Sequence, residues 1–103
     1  MSIKHLEFDD YGYIAGTSIT NAFQTVLTLS DDADFLFIFN TCDQALVVRL
    51  PSARSTALVR LPAGANWNLD CRTNSKRLAK GLIEIKYADS VPTTGEISVT
   101  VAR

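Results

Sequence analysis

Apolar and polar residues alternate with a period of two over most of this chain. In Glu96–Ala102, Ile97, Val99 and Val101 occupy one phase and Glu96, Ser98 and Thr100 the other. Successive side chains of a strand point to opposite faces, so this segment predicts a strand with one buried face. The same pattern recurs over 45–50, with Leu46, Val48 and Leu50 against Val47 and Arg49. It recurs over 66–72, with Trp67, Leu69 and Cys71 against Asn68, Asp70 and Arg72, and over 82–88, with Ile83, Ile85 and Tyr87 against Glu84 and Lys86. Residues 23–40 form the predicted spine. Phe23, Thr25, Leu27 and Leu29 alternate with Gln24, Val26 and Thr28; Ser30–Asp34 reads as a solvated hairpin turn; Phe35–Phe39 is apolar in both phases. That second run predicts a central strand covered on both sides, with Phe35, Phe37 and Phe39 facing the core.

Pro51 ends one strand by removing a ladder donor, and Pro62-Ala-Gly closes the strand Ala57–Leu61 with a β-turn. Seven to eight short strands with turn signals between them predict an all-β, single-domain antiparallel β-sandwich, jelly-roll-like in architecture. The immunoglobulin order of Cys…Trp…Cys is not met, because Trp67 and Cys71 fall on one strand. Residues 1–22 are expected to be an N-terminal arm or a short first strand, and 23–103 the sandwich domain.

A chain of 103 residues can bury a core without staples. Its formal net charge of -1 argues against a nucleic-acid or membrane-surface partner held by bulk charge. No segment approaches the ~20 apolar residues of a membrane span. The first ten residues lack the apolar stretch of a signal peptide, so synthesis and folding in a cytoplasm are expected, with Cys42 and Cys71 as free thiols.

Candidate chemistry is sparse. His5 is the single histidine and stands without partners for a triad or a metal site. Asp31, Asp32 and Asp34 lack the spacing of an EF-hand calcium loop. No serine sits in a nucleophile elbow, and no glycine-rich phosphate loop is present. No catalytic residue, metal or cofactor is therefore expected, and the chain is not expected to be an enzyme. Arg72, Lys76, Arg77 and Lys80 form the densest charge in the chain, but without the interleaved aromatics of a single-strand nucleic-acid binder.

The order of segments Thr25-Val-Leu-Thr-Leu, Phe37-Ile-Phe-Asn-Thr, Leu61-Pro-Ala-Gly-Ala-Asn-Trp-Asn-Leu-Asp, Lys80-Gly-Leu-Ile-Glu-Ile-Lys-Tyr and Val91-Pro-Thr-Thr-Gly-Glu-Ile-Ser-Val resembles small virion proteins of tailed bacteriophages. The resemblance covers most of the chain from residue 23 onward. It implies a capsid decoration or cement protein, made in the host cytoplasm and located on the capsid surface of the virion. Such a protein binds the major capsid protein of the phage head as a dimer or trimer and bridges neighbouring subunits. It brings no catalytic residue to this chain. A head–tail adaptor, a tail- or fibre-associated module, and a carbohydrate- or receptor-binding sandwich are the alternatives. Phe8, Tyr11, Tyr13, Arg72, Lys76, Arg77 and Lys80 are the expected partner interface, the first three on an arm that orders against a neighbour and the last four as a charged contact.

Overall fold

The computed structural model describes residues 8–51, 57–70, 78 and 80–102. Eight strands follow in chain order: β1 (Phe8–Ala15), β2 (Gln24–Leu29), β3 (Phe35–Asn40), β4 (Leu46–Leu50), β5 (Ala57–Leu61), β6 (Asn66–Asp70), β7 (Gly81–Tyr87) and β8 (Glu96–Ala102). One short 3-10 turn, Gly16–Ser18, leaves β1. The strands form two antiparallel four-stranded sheets, a front sheet ordered β1-β8-β3-β6 and a back sheet ordered β2-β7-β4-β5. Nearly every connection crosses between the sheets. This is the eight-stranded double Greek key of a jelly roll, as the strand spacing predicts.

The core lies between the sheets. The front sheet contributes Leu36, Ile38, Ile97, Val99 and Val101, all fully buried, with Trp67 and Leu69 packed against them. From the back sheet come Leu46, Val48, Ile83 and Ile85, together with Val26 and Leu29. Short branched aliphatics on both inner faces let two pleated sheets interdigitate at the usual spacing of about 10 Å.

Two expectations are corrected. Ser30–Asp34 is not a hairpin turn, because β2 lies in the back sheet and β3 in the front; the Asp-rich segment is a crossover, as is Pro92–Gly95, which carries the chain from β7 to β8. The regular alternation of β2 is broken by a bulge between Thr25 and Leu27, so Val26 and Leu29 both reach the core although they stand three apart. The Pro62-Ala-Gly turn is as expected: Ala65 N–H donates to Pro62 C=O at 3.1 Å, and Gly64 supplies the positive φ.

Of the two readings of the N-terminal segment, the structure shows the strand. Tyr11 to Ala15 pair with Thr100 to Glu96 of the same chain. Gly12 lets β1 press on the back sheet at that edge, since a Cβ there would overlap the carbonyl oxygen of Val26.

The two sheets are tied where β3 ends. Asn40 is 1% exposed, and its Nδ2 donates to the carbonyls of Gln44, Leu61 and Pro62, each at 3.1 Å. Its Oδ1 accepts the Cys42 N–H at 3.0 Å. Two amide hydrogens serve three acceptors, so one is shared. Replacing Asn40 with Ala removes the side-chain donor to the buried Leu61 carbonyl and the acceptor for the Cys42 N–H, and is expected to cost about 2–4 kcal/mol. Asn40→Asp turns a second acceptor toward those carbonyls and is expected to cost more than Asn40→Ala; urea denaturation of the two variants ranks them.

Candidate functional site

Period two leaves every other residue of β3 facing away from the core. Because Leu36, Ile38 and Asn40 face in, Phe35, Phe37 and Phe39 face out. The expectation that these phenylalanines line the core, and that β3 is covered on both sides, is therefore corrected. β3 is an interior strand of its sheet but is covered by the sandwich on one side only.

Register carries the outward residues into rows. One row across β1, β8, β3 and β6 reads Tyr11, Thr100, Phe37, Asn68. The next reads Tyr13, Ser98, Phe39, Asn66. Phe35 lies beyond the first row, between Ala102 and Asp70. Glu96 lies beyond the second, beside Ala15. Tyr11, Tyr13 and Phe39 are exposed by 58%, 60% and 40%. The rings of Phe35 and Phe37 run nearly parallel at 6.3 Å, and those of Tyr11 and Tyr13 sit 6.0 Å apart, tilted by 35°. Among the described residues, five aromatic side chains thus share the outward face, with carboxylates at its two ends. Among the described residues no lysine or arginine lies on it.

The outer face of the back sheet has the opposite chemistry. Arg49 donates from Nε and Nη2 to Glu84 Oε1 at 3.0 and 2.8 Å. Its guanidinium lies 3.9 Å over the Phe23 ring, which Lys86 also approaches at 5.0 Å. Arg60 pairs with Asp89 at 3.0 Å, and Leu58 stands exposed between these charges and the sheet edge. The Phe23 ring on this side is thus covered by cations.

Of the residues expected at a partner interface, Tyr11 and Tyr13 lie together on the front face. Lys80 is exposed elsewhere, its N–H bound to Asp32 Oδ1 at 2.9 Å. Arg72, Lys76 and Arg77 lie outside the described residues, as do His5, Cys71 and the side chain of Phe8. Sequence reasoning missed Phe35, Phe37 and Phe39 as surface residues. The usable signal was the polar phase of their neighbours, Ser98 and Thr100 on β8 and Asn66 and Asn68 on β6, but it becomes readable only once the pairing is known.

Beside the Asn40 tie, burial pushes the Cys42 thiol up, helped by the carboxylates of Asp43 and Glu96. Asp43 is held below its ordinary value of 3.8 by the Thr93 hydroxyl and by the N–H groups of Thr93 and Thr94. Among the described residues no group of three His, Cys, Asp or Glu side chains is placed to hold a metal ion.

No family model and no curated protein matches the chain. Solved structures do. It is similar to the Streptomyces albus enzyme HEPD with 2-hydroxyethylphosphonate and Fe(II) bound, at 15% identity and TM-score 0.48, over 88% of this chain and 17% of that one. It is similar to hydroxypropylphosphonic acid epoxidase from S. wedmorenis, at 12% and 0.47, over 90% and 42%. A third match is the QdtA 3,4-ketoisomerase from Thermoanaerobacterium thermosaccharolyticum in complex with TDP, at 9% and 0.47, over 93% and 59%. The chain thus spans less than two thirds of each protein it matches. All three are enzymes, which corrects the expectation drawn from missing motifs: enzymatic activity is not excluded for this chain. At these identities and scores none of their activities, substrates or ligands passes to it.

Two outcomes follow from this geometry. Phe39→Ala is expected to change stability by less than about 1 kcal/mol, whereas Ile38→Ala, one residue away, should cost about 2–4 kcal/mol through its cavity; thermal melts of both variants test the strand phase. Asp43 has a lowered folded pKa, so its contribution is full above its unfolded value and is lost as pH falls through the folded one. Asp43→Ala should therefore be less stable than wild type at neutral pH, and the two melting temperatures should converge below about pH 4.

Proposed function

We propose that this chain is a structural binding module of a bacteriophage particle, a decoration protein that binds the outer capsid surface and bridges neighbouring major capsid protein subunits. The observation that supports this reading is where the excess apolar surface lies. The inside of the sandwich is filled by aliphatic side chains, while five aromatic residues stand on the front face. A contiguous exposed apolar patch on a small domain marks a surface meant to be covered. A rigid body with exposed aromatic residues on its front face suits a part that works by contact, and repetition over a shell lets weak contacts add up. The resemblance to phage virion proteins supplies the particle.

A carbohydrate-binding role is the second reading, favoured by the amide and hydroxyl groups of Asn66, Asn68, Ser98 and Thr100 beside the aromatic rings. Co-sedimentation of the purified protein with expanded phage heads lacking it separates the readings. Decoration predicts saturation in proportion to the number of capsid subunits. Saturation at a single vertex would move the protein to the portal or tail. No binding to heads, with retention on a glycan array, would replace decoration by the second reading.

A further inference from the structure

Residues 89–95 carry the chain from β7 in the back sheet to β8 in the front. The backbone fastens this strap at both ends. At one end Ala88 N–H donates to Ala45 C=O at 3.0 Å, and at the other Gly16 N–H donates to Gly95 C=O at 2.8 Å. Between these points, among the described residues, no backbone group of 89–94 bonds to another backbone group. Pro92 has no N–H to give. The N–H groups of Thr93 and Thr94 both go to Asp43 Oδ1, at 2.9 and 3.4 Å, and the Thr93 hydroxyl goes to Oδ2. One exposed carboxylate thus holds the middle of the strap.

What the strap covers is a thiol. Asp89, Ser90, Val91, Thr93 and Thr94 are exposed, whereas Pro92 among them is fully buried. A Cβ placed on Gly16 would stand 2.9 Å from the Thr94 carbonyl oxygen, 3.0 Å from Pro92 Cβ and 3.1 Å from Cys42 Sγ. The proline ring and the sulfur therefore close on the same point, in room that Gly16 leaves by having no side chain. Cys42 is 2% exposed. Its burial, with the carboxylates of Asp43 and Glu96, pushes the thiol up, so the closed strap both hides the sulfur and keeps it protonated. Segments held by few and solvent-exposed hydrogen bonds open locally, at less free energy than global unfolding requires. Cut from Asp43, this strap keeps only the packing of Pro92 between its two fastened ends.

We propose that residues 89–95 are a strap latched by Asp43 over Cys42, and that lifting of this strap, with both sheets intact, is the route by which a thiol-reactive electrophile reaches the sulfur. The same motion removes the burial that suppresses ionisation, so it exposes and activates the thiol together. A group carried on Sγ competes for the space of Pro92. Modification of Cys42 and closure of the strap therefore disfavour each other, as linkage requires. The inference is independent of what the front face binds.

Alkylation of the folded full chain by iodoacetamide tests it: a sulfur–carbon bond forms, iodide leaves and the thiol proton passes to buffer. The rate is read by mass spectrometry on the peptide that carries Cys42, at neutral pH and at urea concentrations below the unfolding transition. Urea dependence scales with the surface exposed, and a lifted strap exposes little, so the wild-type rate should be nearly flat in urea. Asp43→Ala should raise it at least tenfold and leave it flat. Thr93→Val, which loses the hydroxyl donor but keeps the Asp43 charge, should raise it at least threefold. Leu58→Ala, on the back sheet, should leave it unchanged, and circular dichroism melts check that each variant is folded. A wild-type rate that climbs with urea along the global unfolding slope overturns the proposal, because only unfolding then uncovers the thiol. A flat rate that Thr93→Val leaves unchanged overturns it as well, whatever Asp43→Ala does, because the carboxylate then acts on the ionisation of the sulfur alone.

Discussion

The Asn40 amide sits at the corner where β3, the start of β4 and the end of β5 meet, and it serves four backbone groups with one side chain. Polar backbone groups buried where strands end need partners, and the Asn40 side chain supplies one to the Leu61 carbonyl and one to the Cys42 N–H. Placing that donor has a further effect along β3. If Asn40 points inward, period two sends Ile38 and Leu36 inward with it and turns Phe39, Phe37 and Phe35 to the outside. The aromatic face is thus a consequence of satisfying a few carbonyls at the far side of the sandwich.

The two outer faces divide the remaining chemistry. On the back sheet, the arginines are paired with carboxylates, and the Phe23 ring is packed under cations. Exposed pairs of this kind contribute little to stability, but they keep that face hydrated and resistant to nonspecific association. On the front sheet, Tyr11, Tyr13 and Phe39 stand exposed.

Much of the fold was legible along the chain. In β4, β7 and β8 one phase is apolar throughout while the other carries Arg49, Glu84 and Lys86, or Glu96, Ser98 and Thr100, and the wholly apolar phase faces the core as alternation requires. The failures have physical causes. In β3 both phases are apolar, and hydrophobic pattern fixes orientation only when the two faces differ. The bulge in β2 shifts the phase midway, and no residue there announces it. The Asp-rich and Pro-Thr-Thr-Gly segments carry turn chemistry, but the same residues serve a hairpin and a crossover equally well. The candidate site was legible only at Tyr11 and Tyr13. Its other half depended on strand order, which no local pattern encodes.

Strand order also sets when this surface comes into being. In the front sheet β8 lies between β1 and β3, so strands from opposite ends of the described chain are neighbours in space. Topologies dominated by such distant pairings fold slowly, on the order of milliseconds to seconds. On the ribosome, β1 and β3 emerge long before the strand that holds them side by side. Until β8 is made and inserted, the aromatic residues of β1 and β3 have no fixed spacing. The nascent polypeptide therefore carries these aromatic residues before it has the face on which the folded chain arranges them.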